Sequence, residues 1–509
     1  MGRTALFAFV LSALACGSGG GSPDIIPDGG GDAGPTDGGP GGDGGPADGG
    51  PDGGPVDAGP LGGGDWGQYR HDPGGRSENA GVFEASEVAN LTALWSPNLA
   101  SSLGVPALYV YTQAVVANGT VVYTTGFTGQ VWAVDEATGT ERWPAKTLNA
   151  KITTNCEDPK QPGFWSSAAI ANGVIYVASP DGNVYALRAS DGTTIWKAGV
   201  ADPSAAANGE FIQSSPAVST RLGRLYVGVA SSAGLQCEVA GRIVAIDLAT
   251  GAVQSQPLVN SGQQGAAVWS SITIIEDENR IYATTGNRMG PASATPYAQS
   301  FLALDPRTLQ VLDHWQNPSP IEDIDFGSSP TPFDAGGMKL IAATSKDGYL
   351  YVLRRDALSQ GPVWTYRIAD IDPNNPRVGV DPTLGWGSIS TPAYAHGVLY
   401  AAGGRIDGKP GSVVAFNPVN GNIIGQKHYT PGYVLGPLAL AGDVLVVEST
   451  SLDNSSSSLE VLNASDLTVL KRFDANDATF AGPSIANGAI FWTTENGQTH
   501  NYVVPKYRR

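Results

Sequence analysis

Asn287, Lys346 and Arg405 occupy one position in three successive copies of a repeat, each five residues beyond an apolar strand anchor (Tyr282, Ile341 and Tyr400). The repeat reads as a four-stranded meander. In such a meander, the connection into the first strand and the link from second to third share one face. The equivalent residues Thr128, Asp181, Ser231, Ser451 and Asn496 are then expected around the same mouth. Asp323 and Asp325 precede the inner strand of the fifth copy and join that face, as do Trp165, Trp269 and Trp386 ahead of their own copies. The chain is acidic, with 47 Asp plus Glu against 29 Lys plus Arg, so two cations at one mouth need a reason. A carboxylate, an amide oxygen, a flat aromatic and paired cations together suit a planar polyanion bound with a metal.

Singly, each residue has a plainer use. Trp143, Trp196 and Trp364 are expected to pack copy against copy, and Trp269 is open to either role. Thr285-Gly-Asn287 is a common turn, Asp325 could cap the turn into its strand, and Lys346 alone would be a loop lysine. It is convergence on one face that points to a site. The five His show no zinc spacing and no nucleophile–base arrangement. No Cys-x-x-Cys-His occurs, so the chain itself is expected to carry no covalently attached c-type haem.

The positioning elements are legible in the repeat. In Trp165 to Trp196, strand A (about 166–171) turns through Asn172-Gly173 into strand B (174–179). Asp181-Gly182 leads to strand C (183–188), and Ser190-Asp191-Gly192 to a strand D ending at Trp196. Asn-Gly is the dipeptide that tight hairpins prefer, and β-branched and aromatic residues favour strands. Strand B anchors recur at Tyr123, Tyr176, Tyr226, Tyr282, Ile341, Tyr400, Val446 and Phe491. Eight four-stranded antiparallel sheets at that period predict an all-β, eight-bladed propeller. The eighth copy lacks its outer strand, and Leu94-Trp-Ser-Pro-Asn-Leu99 is expected to supply it, closing the ring.

Two segments carry a resemblance. Ala133 to Trp143, Ala-x-Asp-x-x-Thr-Gly-x-x-x-Trp, resembles the tryptophan-docking repeat of pyrroloquinoline quinone (PQQ) dehydrogenases. Asp65-Trp-Gly-Gln-Tyr-Arg-His-Asp72, read as the opening of a blade, is similar to the start of the polyvinyl-alcohol dehydrogenase branch. The likeness covers about 65–509. It implies a quinoprotein alcohol dehydrogenase that uses PQQ and calcium, a small or polymeric alcohol and an external electron acceptor. By that resemblance Trp269 stacks on the quinone, and Lys346 contacts its oxygens, with Arg405 a second cation at the mouth. Asn287 ligates calcium and Asp325 is the catalytic base and a further ligand. The family's Glu ligand lies in the B–C loop of the third blade, where Glu238 falls several residues late. Cys237 stands alone where the branch has adjacent cysteines, and Ala240 replaces its Arg. These departures predict a weakened cation site. The competing class is a non-catalytic propeller that binds protein or glycan at the cell envelope, since fold alone does not fix function.

Met1 to Cys16 reads as an export signal, with Arg3 ahead of an apolar run from Ala5 to Ala15, too short to span a bilayer. Its end, Ser12-Ala-Leu-Ala-Cys16, resembles a bacterial lipoprotein signal, which implies lipid on Cys16 and a place in the cell envelope. Residues 17–64, rich in Gly, Pro and Asp, are expected to be a disordered tether. Cys156 and Cys237 then remain as a candidate disulfide, with two separate thiols as the alternative. A formal charge of −18 argues against nucleic acid or an anionic membrane surface as partner, leaving membrane contact to the lipid anchor.

Overall fold

A computed structural model describes residues 64–99, 101, 110–126, 128–148, 163–204, 209–231, 238–319, 323–374, 384–429 and 432–504. The signal and Cys16, the tether over 17–63, and the Cys156 and Cys237 pairing all lie outside the described residues. Among the described residues, no helix is long and apolar enough to cross a membrane.

Eight antiparallel sheets of at least four strands follow one another, making an eight-bladed β-propeller. Blade 2 shows the pattern: Ala169–Ala171, Val174–Ala178, Asn183–Arg188 and Thr194–Gly199, paired in that order. Asn172 and Gly173 take positive φ at its first turn, as the tight hairpin requires. Successive side chains of Val174–Ala178 leave on opposite faces. Ile175 and Val177 pack with Val115, Val122 and Val131 of blade 1, whereas Tyr176 and Ala178 pack with Val218, Val227 and Val244 of blade 3. Inner strands are thus buried on both faces, which is why they read as continuous apolar runs. The outermost strand, Thr194–Gly199, is largely exposed.

Strand A begins at Ala169, three residues later than the pattern predicts, because the preceding serines have other partners. The Ser167 hydroxyl accepts from Gln113 N (2.9 Å), while Ser167 N donates to the Ser215 hydroxyl (2.9 Å). The chain of links continues through Ser271, Ser329 and Thr391, so five hydroxyls stitch blades 1 to 6 around the channel. Strand D extends to Gly199, past Trp196.

The ring closes through Thr92–Trp95, which pairs antiparallel with Thr499–Val503 of blade 8. That strand starts and ends earlier than 94–99. Pro97, with no N–H to give, ends the ladder, leaving Asn98 to a single bridge with Gln498. Trp95 then docks on blade 1: its Nε1 donates to Glu136 O (2.8 Å) and its ring covers Gly139. Trp143, Trp196 and Trp364 repeat this on Ala189 O with Gly192, Leu248 O with Gly251, and Pro418 O with Gly421. A Cβ at any of these four glycines would stand 2.7 to 3.1 Å from the ring above it.

Asp65 to Asp72 does not open a blade. The segment continues to Asn79 inside the channel and bonds the inner strands in turn: Trp66 to Val116, Gly67 to Ile170, Gln68 to Val218 and Pro73 to Ile274. Arg70 reaches Pro330 O (2.9 Å) in blade 5, Arg76 meets Tyr394, Ser77 meets Leu440, and Asn79 Nδ2 reaches Ile485 O. One short collar therefore satisfies inner-edge backbone groups of all eight blades.

Candidate functional site

The site sits where the loops of blades 3, 4 and 5 climb over one another. Gly286 N donates to Ala267 O (2.7 Å), Phe326 N to Thr285 O (3.4 Å), and Lys346 N to Asp325 O (3.0 Å). Each loop is thus held to its neighbour by backbone, which brings Asn287, Asp323, Asp325 and Lys346 close together.

Lys346 Nζ lies 2.8 Å from Asp323 Oδ1 and 3.3 Å from Asp325 Oδ2, and all three residues are buried. Asn287 Nδ2 donates to the same Asp323 Oδ1 at 3.3 Å. The ammonium also stands 5.4 Å from the centre of the Trp269 ring. The six-membered ring of Trp269 lies against Gly327, where a methyl group would overlap it; this glycine is what admits the indole. The Ser345 hydroxyl donates to Ile324 O (3.0 Å), and Gly348 N to Ser345 O (2.9 Å), fixing the turn that carries Lys346.

Burial raises the Asp325 carboxyl to about 6; Lys346 offsets part of that rise and the charge of Asp323 adds to it. Burial lowers Lys346, but the two aspartates outweigh it and hold the ammonium above its usual range. Glu238 joins this cluster. It accepts from the Ser231 hydroxyl (3.3 Å), and burial with the nearby Asp325 charge pushes its carboxyl well above the ordinary range.

Two buried oxygens, Asn287 Oδ1 and Asp325 Oδ1, have no hydrogen-bond partner. Buried polar atoms are rarely left so, unless a ligand or water completes them. Among the described residues, no three His, Cys, Asp or Glu side chains cluster to hold a metal, so a cation would lean on the Asn287 amide. Oxygens of this kind are hard donors, the class of ligand that calcium takes.

The structure brings together Trp269, Asn287, Asp325, Lys346 and Glu238, and not Arg405. The Arg405 guanidinium lies 4.9 Å over the Trp386 ring and its Nε donates to Leu384 O (3.2 Å), at the exposed rim. Of the other mouth positions, Asp181 accepts from the Tyr185 hydroxyl (2.6 Å), and Asn496 is bound to Asp477. Asp323 was visible as a neighbour of Asp325, but nothing in its residue type marked it as the acceptor shared by Lys346 and Asn287.

Over residues 84–356, more than half of the chain, the sequence matches the family of PQQ-repeat proteins described as outer membrane protein assembly factor BamB. The chain belongs to that PQQ-repeat family. It is 26% identical over 315 residues to the quinohemoprotein alcohol dehydrogenase ADH IIB of Pseudomonas putida, covering 54% of this chain and 43% of that protein. It is 24% identical over 344 residues to the polyvinylalcohol dehydrogenase of a Sphingopyxis species, covering 58% and 49%. This PQQ-repeat chain thus spans about half the length of the curated relatives it matches. The quinohemoprotein alcohol dehydrogenase from Comamonas testosteroni superposes with a TM-score of 0.66 at 17% identity, over 86% of this chain and 80% of that one. BamB from Moraxella catarrhalis gives 0.51 at 15%, over 81% and 97%. At those identities the two structures speak for the fold alone.

Proposed function

We propose that this PQQ-repeat propeller is a quinoprotein-type alcohol dehydrogenase taking PQQ and calcium on the face of Trp269, Asn287, Asp325 and Lys346. One observation carries the reading. Asp325 is a buried carboxyl raised to about 6, with one oxygen unpartnered, set beside a cation and an aromatic plane. As a carboxylate, such a group can take a proton. Bound PQQ would supply the two-electron oxidant for an alcohol's hydride. Trp269 offers the plane for its rings, and the Lys346 ammonium a positive charge for its oxygens. Asn287 Oδ1, Asp325 and Glu238 would hold the calcium. Asp325, as carboxylate, accepts the hydroxyl proton of the alcohol. With no Cys-x-x-Cys-His in this chain, electrons would leave to an external acceptor. Export and a lipid anchor at Cys16 belong to the same reading, and labelled fatty acid lost in Cys16→Ser would support them.

The alternative, an envelope scaffold binding protein or glycan, draws on the match to the assembly-factor description. Adding PQQ and calcium to the purified chain separates the two. Tight PQQ binding lost in Trp269→Ala, with alcohol-driven dye reduction lost in Asp325→Asn, is the expected result. No binding at micromolar PQQ with excess calcium would leave the scaffold standing.

A further inference from the structure

Asp323 takes a left-handed backbone conformation, with φ at +55°. Non-glycine residues persist there when the surroundings impose it, and such strain gathers at functional sites. Its side chain is buried, and its Oδ1 accepts from two groups at once, Lys346 Nζ (2.8 Å) and Asn287 Nδ2 (3.3 Å). The second contact has a consequence for the amide. An asparagine can present either its oxygen or its nitrogen to a neighbour, and the two ends differ only in hydrogen-bonding chemistry. A carboxylate can receive the NH2 end and repels the oxygen end. With Nδ2 committed to Asp323, Oδ1 is turned away, buried and unpartnered.

We propose that Asp323 is a positioning residue, which fixes the rotation of the Asn287 amide so that its oxygen, and not its nitrogen, faces a bound cation. The proposal rests on the calcium and PQQ reading given above. Asp323 does not itself touch the cation; it acts through Asn287 and, by the same oxygen, anchors Lys346. Partners that orient ligands in this way commonly matter 10- to 100-fold for metal affinity.

The amide supplies its own control. A carboxylate at position 287 has two equivalent oxygens and needs no rotation fixed. Removing Asp323 should therefore weaken calcium when residue 287 is Asn, and not when it is Asp. Asp323→Gly is the suitable removal, because glycine accepts the positive φ and Lys346 keeps Asp325 as a counter-charge. Calcium affinity is read by calorimetry on the full chain with saturating PQQ, alongside thermal unfolding. For Asp323→Gly, the expected result is a loss of about tenfold in calcium affinity, while any fall in unfolding temperature from the lost Lys346 partner should be the same in both backgrounds. In the Asn287→Asp background, the same change should leave calcium affinity unaltered. Equal losses in the two backgrounds, or no loss in the first, would overturn the positioning role while leaving the proposed function intact. Absence of calcium and PQQ binding by the unaltered chain would overturn both.

Discussion

Two buried carboxyls in different blades of this ring show what separates a site from a piece of scaffold. Asp325, between blades 4 and 5, and Glu448, in strand Val444–Ser451 of blade 7, are both pushed up by burial, to about 6 and about 7. Their surroundings differ. Glu448 is closed: Gly482 N donates to Oε1 at 2.7 Å, and Oε2 lies 2.7 Å from the Thr479 hydroxyl. That hydroxyl also accepts from Trp492 Nε1 (3.0 Å) and lies 3.0 Å from Thr493 O. One hydroxyl proton cannot serve both Glu448 and Thr493. A protonated Glu448 resolves this by donating to Thr479, which then donates to Thr493. Asp325 has no such closure, since one oxygen is unpartnered and the other shares a lysine with Asp323. A raised pKa alone therefore does not mark function; what sets Asp325 apart is the lysine, amide and indole gathered beside it.

Removing the cation should break the site side hardest. Lys346→Met leaves Asp323 and Asp325 buried together without their counter-charge, and losing one partner of a buried pair costs about 3–5 kcal/mol. Urea unfolding at pH 7 should show that loss, and it should shrink as acid neutralises the two carboxyls. A stability unchanged at pH 7 would mean that the three side chains are less coupled than their distances indicate.

On the closed side, the effect is one of pH. The folded Glu448 pKa, about 7, lies above the ordinary 4.5, so the folded chain holds this proton more tightly than the unfolded one. Its stabilisation is fully present below about pH 4.5 and is lost as pH rises through about 7. That 2.5-unit window corresponds to about 3 kcal/mol at most. Glu448→Gln mimics the protonated form, with Nε2 donating to Thr479 and Oε1 accepting from Gly482. The variant should match the parent in acid and exceed it at pH 8. A parallel pH profile for the two proteins would refute the protonated reading of Glu448.

The fold was nearly all visible in the sequence, because propeller blades repeat their turns. Asn172-Gly173 and Thr138-Gly139 announce hairpins wherever they fall, and the tryptophan spacing announces docking. What stayed hidden were contacts between copies with no periodic signature. Asp65 to Asp72 reads as a strand opening, yet it serves as a collar, because strand A edges facing the channel lack a further partner strand. The Ser-Ser pairs look like small turn residues, yet they form the hydroxyl chain around the channel. At the site, spacing brought out Asn287, Lys346, Asp325 and Trp269. It also grouped Arg405 with Lys346 by register alone.

Smaller effects sharpen the comparison further. Trp196→Ala removes a docked ring and its bond to Leu248 O on the outer rim, where the indole is half-buried. The cost should be about 2 kcal/mol, below that of a fully buried tryptophan, with PQQ affinity unchanged. A change in PQQ affinity would mean that blade spacing at the rim reaches the site.

The smallest expected effect belongs to Arg405, and it tests whether register or contact decides membership of a site. Lys346 and Arg405 hold the same place in adjacent blades, but Lys346 is 5% exposed and flanked by carboxylates. The Arg405 side chain lies over Trp386 at the loop rim instead, bonded to a backbone carbonyl. A charge near the surface is screened by water and salt, so its pull on an anion at the site is weak. Arg405→Gln should change PQQ affinity by no more than about twofold, within the ~0.5 kcal/mol expected of a surface substitution. Lys346→Gln should abolish tight binding in the same titration. If the two variants lost affinity alike, Arg405 would have to swing from Trp386 toward the ligand on binding. The register argument would then outrank the contacts seen in the free chain.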